Sequence, residues 1–414
     1  MSISKFILNL AALLVLQGAL TAQPLLQAIG YGNFRENGSA IEAGLGYATT
    51  AHYDSVNFLP NNPASWHDLR TVKILTGGTV GLHLLSGDAL YQPTGSSIAS
   101  QYQRMTRLQL GFPIGQRIYA SVGTEPVTDM AGQFKDVTDT SFTAPVLTVT
   151  NSGGVWSMFV GAGVKINEKI SLGLKWHRLT GYYAEEAVQY YPDLSTNSSS
   201  KLSGNIRGNL LELGVQAHLF SNMLYGVTVN LPVIEPSFKG EVTLTGSPNT
   251  VSYSESMPDW PARLAMGVEY KYSERVYFLI DLSQRFFSEE AFQNSHLFKI
   301  PESWDDNVNS SSSFNSGLLI RHSDLVGTFF ERTDWRMGFY HKIFYASPSP
   351  NTYIRETYLT GGLGVPLPQN RSRLDFSLGV GKRGGLSGYP EENLVNFKIS
   401  IQTSELWFTN AKRR

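Results

Sequence analysis

The stretch ARLAMGVEYKYSERVYFLIDL, residues 262–282, alternates: Leu264, Met266, Val268, Tyr270 and Tyr272 are apolar, and Arg263, Ala265, Gly267, Glu269 and Lys271 stand between them. A period of two belongs to a β-strand whose successive side chains point to opposite faces. Ser273-Glu274 then turns the chain into a second strand carrying Asp281 and Arg285. The pattern recurs in Trp156-Met158-Val160-Ala162-Val164, Ile170-Leu172-Leu174-Trp176, Trp335-Met337-Phe339, Leu374-Phe376-Leu378-Val380 and Val395-Phe397-Ile399-Ile401, always with a polar, small or charged opposite parity. One face of each strand meets an apolar phase and the other a polar one.

A soluble sandwich alternates too, so loop lengths decide the class. Strands are expected near 71–85, 103–112, 116–124, 154–165, 169–180, 206–219, 223–231, 261–272, 275–286, 317–329, 333–345, 353–365, 371–382 and 393–404. Short connections alternate with long ones. Tight turns at one end, long loops at the other and an even count of fourteen predict an all-β, 14-stranded antiparallel transmembrane β-barrel over 71–404. Its apolar parity faces lipid. Its polar parity, with Arg263, Glu269, Lys271, Asp281, Arg285, Arg336, Arg373 and Asp375, faces the lumen, because a charge on the lipid side is costly. Trp176, Tyr182, Tyr183, Tyr270, Tyr272, Trp335 and Trp407 suit the interfacial aromatic girdles.

Lys5 followed by an apolar run from Phe6 to Leu20 and by Thr21-Ala22 reads as a signal peptide over 1–22. This predicts export to a Gram-negative-type outer membrane, with both chain ends periplasmic and 405–414 as a periplasmic tail. Lys plus Arg number 33 against 34 Asp plus Glu, so no strong field attracts nucleic acid. The chain has no Cys, which excludes disulfides and thiolate chemistry. Residues 23–70 do not alternate cleanly, and a segment of that length is enough to form a lumenal plug; a periplasmic tail or an additional strand is the alternative.

At this point the chain resembles a family. NFRENGSAIEAGLGYA (33–48), the NNPAS turn (61–65) and the fourteen strands after them are similar to the FadL-type long-chain fatty-acid transporters of the outer membrane. The hairpins at 156–176 and 262–282 and the closing stretch 374–408 share that family's style. The resemblance implies a lumenal hatch, to which Asn62, Pro63 and Ala64 would belong, a hydrophobic channel and lateral delivery of apolar substrate into the membrane. It carries over no ligand-binding residue.

Catalytic and metal chemistry is not expected. GVGKRG at 379–384 formally matches a dinucleotide motif, but it ends a strand with no helix after it. His177 and His218 have lumenal parity, where a satisfied polar residue is the simplest reading. The loop with Glu302, Asp305, Asp306 and Ser310–Ser313 reads as a solvated surface rather than a cation site. No cofactor, metal or enzyme activity is expected. The function expected is passive uptake of hydrophobic small molecules such as long-chain fatty acids, along an apolar or aromatic path through a partly polar lumen. The partners are membrane lipid and that ligand, and the barrel is a monomer. The alternative is a FadL-like barrel that binds protein in a secretion or surface-attachment system, a role that Tyr182, Tyr183, Tyr190 and Tyr191 also fit; a purely structural envelope barrel stays open.

Overall fold

The computed structural model describes residues 25–405 except 37, 55–56, 87–98, 137–145, 192–195, 245–249, 289, 291, 293–294, 296, 299, 301–307, 323–326, 348, 350–351, 368–371 and 385–390. The expected signal peptide, Trp407, the tail beyond Glu405 and the acids Glu302, Asp305 and Asp306 lie outside the described residues.

Fourteen antiparallel strands form a closed barrel. They are β1 (Val72–Ser86), β2 (Ala99–Ile114), β3 (Ile118–Asp129), β4 (Val146–Lys165), β5 (Ile170–Tyr191), β6 (Thr196–Phe220), β7 (Met223–Leu244), β8 (Ala262–Lys271), β9 (Val276–Phe286), β10 (Ser311–Ile320), β11 (Asp334–Ile343), β12 (Arg355–Pro366), β13 (Ser372–Arg383) and β14 (Glu391–Glu405). Each pairs with its neighbour in sequence, and β14 returns to β1 from Glu391↔Ser86 to Glu405↔Val72. Hydrocarbon offers backbone amides no hydrogen bond, so a membrane-spanning sheet has to close in this way. Three short strands are accessory. Asn33–Phe34 pairs with β3, Gly132–Asp136 with β4, and Val251–Ser256 with the far half of β7, beyond the point where β8 pairs with its first half.

The alternation sorts residues as expected. Outward-facing Met158, Leu174, Met337 and Leu359 are 58%, 48%, 66% and 63% exposed to the surroundings. Inward-facing Ser157, Lys175, Arg336 and Asp375 are buried. The inner charges pair across strands: Arg336 and Arg373 donate to Asp375 at 2.9 and 2.8 Å, and Arg373 also reaches Asp334 at 2.6 Å. Losing one member of such a set strands the other in a medium of low dielectric.

The boundaries differ most from the sequence reading in two regions. Strands β5, β6 and β7 run 22, 25 and 22 residues, about twice the length that crosses a bilayer. Much of the stretches read as loops at 181–205 and 232–260 is therefore sheet. Beyond the membrane neither face has to be apolar, so the alternation that marks a strand fades while β-favouring Tyr182, Tyr183, Val188 and Tyr190 continue it. Strand β10 occupies 311–320 rather than 317–329, with a short helix, Phe329–Arg332, following. Ser311 and Ser313, read as loop, belong to the wall: Ser311 Oγ donates to Ile343 O at 2.6 Å, and the Ser283 and Ser313 hydroxyls lie 2.8 Å apart.

The two faces differ in what they tolerate. Leu174→Lys and Met337→Lys are expected to lower unfolding stability in lipid vesicles by roughly 2–4 kcal/mol, and Leu219→Lys, beside the β6–β7 turn, by well under half of that. Urea titration of the refolded barrels measures this; equal costs at all three sites would mean the apolar face does not span a bilayer.

Candidate functional site

The chain reaches its first barrel strand along the inner wall. A 3-10 turn at Leu25–Ala28 and the bridge of Asn33 and Phe34 to Asp129 and Thr128 lie at the long-loop end. The chain then descends through α1 (Ala40–Gly44), which packs against β11 to β14. A second 3-10 helix at Pro63–Asp68 sits against β4, β5 and β6 near the tight turns, and β1 starts there at Val72. The barrel's C-terminal strand ends at the tight-turn rim, where Glu405 pairs with Val72. The first described residues lie at the opposite end. The reason is apolar: Leu26, Ile29, Tyr31 and Phe34 find their burial among the loops.

The contact surface for this segment is made of glycine. Cβ atoms on Gly173 and Gly214 would overlap Ala64 N and Asn62 Oδ1, and one on Gly163 would overlap Pro63 O. Gly226 and Gly267 admit Thr50 and Ala51, Gly317 and Gly338 admit Leu45 and Gly46, and Gly362 admits Gly44. The register aligns these positions across strands, with Gly163 opposite Gly173, Gly173 opposite Gly214, Gly226 opposite Gly267 and Gly317 opposite Gly338. Together they form a shallow track around the turn-end third of the lumen. A backbone can lie on it because no side chain intervenes.

Asn62, Pro63 and Ala64 are brought together at the start of the second 3-10 helix. Asn62 Oδ1 accepts from Ala64 N at 3.0 Å, and Pro63 takes the first helical position, where a missing N–H costs nothing. Asn62 Nδ2 donates to Thr50 O at 2.8 Å and to Val215 O of β6 at 3.3 Å. Wall side chains satisfy other buried backbone groups of the segment. Asp281 accepts from Thr50 N at 2.7 Å, Gln402 accepts from Phe58 N at 2.7 Å, Gln216 donates to Ala51 O at 2.8 Å and Lys175 donates to Pro60 O at 2.8 Å. His52 pairs with Glu269. Glu42, fully buried, accepts from Ser39 N at 2.7 Å; burial pushes its carboxyl up, opposed by Arg107 3.9 Å away.

At the loop end the segment enters an apolar basin. Tyr31 meets Trp260 and Phe292 with ring centroids 5.0 and 5.3 Å apart, Phe34 lies 5.3 Å from Trp260, and Phe287 stacks on Tyr345 at 4.3 Å. Leu26 and Ile29 join the same cluster, as does Tyr183, whereas Tyr182 and Tyr190 face outward. Periodicity did not find this basin, because its members come from the N-terminal segment, from loops and from the inner face of β4 to β7 (Val155, Leu179, Ile206 and Phe238), far apart in sequence.

Between the basin and the glycine track lies a cavity of about 110 Å³, lined among others by Arg35, Arg104, Asp129, Lys342, Glu356 and Lys398. At mid-depth the lining mixes these charges with the rings of Phe34, Tyr47, Tyr340 and Tyr358. His177 hydrogen-bonds both Ser157, at 2.8 Å, and Glu212, at 3.1 Å. That order resembles a hydrolytic triad, but all three are buried in the wall, Glu212 is shared with Lys175 at 2.8 Å, and none lines the cavity. The set acts as a cross-strand clamp. Among the described residues no group of three or more His, Asp or Glu could hold a metal.

The fold has known counterparts. The structures of the Pseudomonas putida toluene transporter TodX (TM-score 0.63, 12% identity, covering 91% of this chain and 100% of that one) and of a Pseudomonas aeruginosa FadL homologue (0.63, 10%, 91% and 99%) are similar. The Ralstonia pickettii toluene transporter TbuX is similar too (0.56, 14%, 92% and 99%). The barrel therefore has the FadL-type fold anticipated from the sequence. No curated protein matches in sequence. The family model described as BamG matches residues 3–413.

The track makes a specific demand. Gly173→Val and Gly214→Val are expected to dislodge residues 59–69 while the barrel still migrates as a folded species on an unheated gel. Limited proteolysis should then cut within that segment; full protection in both variants would refute the track as its seat.

Proposed function

The chain belongs to the BamG family, and from its barrel and lumen we propose that it is an outer-membrane conduit for hydrophobic small molecules, long-chain fatty acids among them. The observation that carries this is the aromatic basin under the long loops. It is a packed apolar cluster on the side away from the tight turns, to which the chain's own Leu26, Ile29, Tyr31 and Phe34 contribute. An apolar molecule captured there competes with those four side chains and loosens the segment behind them. Residues 23–70 act as the plug, and Asn62, Pro63 and Ala64 are its gate. The charged chamber disfavours passage of an apolar molecule straight down the lumen, which fits sideways exit into the bilayer. The signal peptide delivers the protein, the tight turns face the periplasm, and the barrel works as a monomer without a cofactor or catalysis. Similarity to solved transporters supports this reading through the fold alone, and it leaves the choice between an aromatic hydrocarbon and a fatty acid to experiment.

One observation favours a second reading, a barrel that binds a protein partner. Strands β5 to β7, with Gly132–Asp136 and Val251–Ser256 alongside, extend well beyond the bilayer and expose Tyr182, Tyr190, Leu244 and Val251. Such a projecting sheet suits a secretion or surface-attachment role, since exposed Tyr and aliphatic residues are enriched at interfaces.

Uptake of labelled oleate and toluene into proteoliposomes decides between them. Replacing Asn62, Pro63 and Ala64 by glycine is expected to change uptake of one of these several-fold without unfolding the barrel. Absence of uptake by both proteins would move the function to the projecting sheet.

A further inference from the structure

The mid-lumen chamber holds more positive than negative charge. Its lining contributes five cations, Arg35, Arg104, Lys342, Arg383 and Lys398, against three carboxylates, Glu36, Asp129 and Glu356. The carboxylates are engaged already. Asp129 takes Arg35 at 2.7 Å and also Arg104, Glu356 takes Arg383 at 2.5 Å, and Glu36 faces Arg263 at 3.9 Å.

Lys342 and Lys398 are left over. Lys342 Nζ donates to Phe34 O at 2.5 Å and lies 3.4 Å from Asn33 Oδ1. Lys398 Nζ donates to Gly38 O at 3.4 Å and lies 4.9 Å from the centre of the Tyr47 ring. Both side chains are buried, and among the described residues neither has a carboxylate within 4.0 Å. Carbonyl oxygens and a ring face offer partial negative charge only. Glu36 attracts both lysines, with Glu356 acting on Lys342 and Glu42 on Lys398, but none of these carboxylates touches either ammonium and Glu36 already serves Arg263. Two buried ammonium groups that divide so little direct counter-charge in one chamber are unfavourably placed. The chamber has room for a counter-ion: at about 110 Å³ it far exceeds the roughly 10–15 Å³ that one water requires.

We propose that this chamber is an anion site that takes one small oxyanion, a carboxylate or a phosphate, neutralised by Lys342 and Lys398. The oxyanion is either free in solution or the head of an amphiphile. The site follows from charge and volume, so it does not rest on the transport reading; a barrel that conducts nothing would still bind phosphate.

The test is thermal unfolding of the purified barrel in nonionic detergent, with sodium phosphate, sodium acetate or sodium laurate compared with sodium chloride at equal ionic strength. Phosphate or acetate at about 10 mM is expected to raise the midpoint by roughly 2–4 °C over chloride, and K342Q/K398Q should abolish the difference. A much larger response to laurate, lost in the same variant, would identify the anion as an amphiphile's head; equal responses to laurate and acetate would identify it as a free ion. Oxyanions that act no better than chloride, or a shift that survives K342Q/K398Q, would overturn the proposal. Should the double variant fail to assemble, K398Q alone is expected to weaken the phosphate response several-fold, and an unchanged response would be equally fatal.

Discussion

Everything in this molecule follows from the rule that a backbone amide facing hydrocarbon needs a strand to bond to. The pairing of β14 with β1 meets that rule and leaves a tube. A tube of fourteen strands is wider than inward side chains can fill. The chain's own N-terminal segment lies against the tube's inner wall, and its buried backbone groups need partners there. Asp281, Gln216, Gln402 and Lys175 are those partners. The polar parity of the strands thus does more than avoid lipid: it solvates a polypeptide where water has little room.

Two apolar phases bracket this polar interior. One is the lipid outside the wall. The other is the basin under the loops, where residues of the N-terminal segment, of several loops and of the inner face of β4 to β7 bury one another. The chamber between them is charged as well, with Arg104 and Asp129, and Arg383 and Glu356, paired across strands. A lumen organised in this way is filtered by chemistry at each depth rather than by width alone.

The wall was legible in the sequence because the bilayer imposes a strict demand on every second residue. The stretch 262–282 could be read from its own pattern, and its pairing Met266↔Leu282 and Val268↔Ile280 places those apolar residues on one face. Where the demand ends, legibility ends: the outer halves of β5 to β7 lie beyond lipid, and their Ser, Thr and Tyr residues look like loop. Asn62-Pro63-Ala64 was recognisable as a turn, since an Asn cap before a Pro has a local meaning. Its seat was not. Gly163, Gly173 and Gly267 were visible as small residues of the inward parity, but their alignment into a track exists only once the strands are in register. The partners of Leu26 and Tyr31 were hidden for the same reason, since Trp260 and Tyr345 lie hundreds of positions away.

The glycine track has a consequence for the order of assembly. The segment that rests on it is the first of the described chain to be made, yet the wall that forms its bed is completed only when the last strand meets the first. If closure came earlier, the segment would have to thread a narrow, charged bore while keeping Leu26, Ile29, Tyr31 and Phe34 out of water. The economical route is for the sheet to curl around the segment, so that Asn62 and its neighbours serve as a mandrel on which the cylinder is wound. In that sequence of events the interior contents are a template for the barrel's own final register.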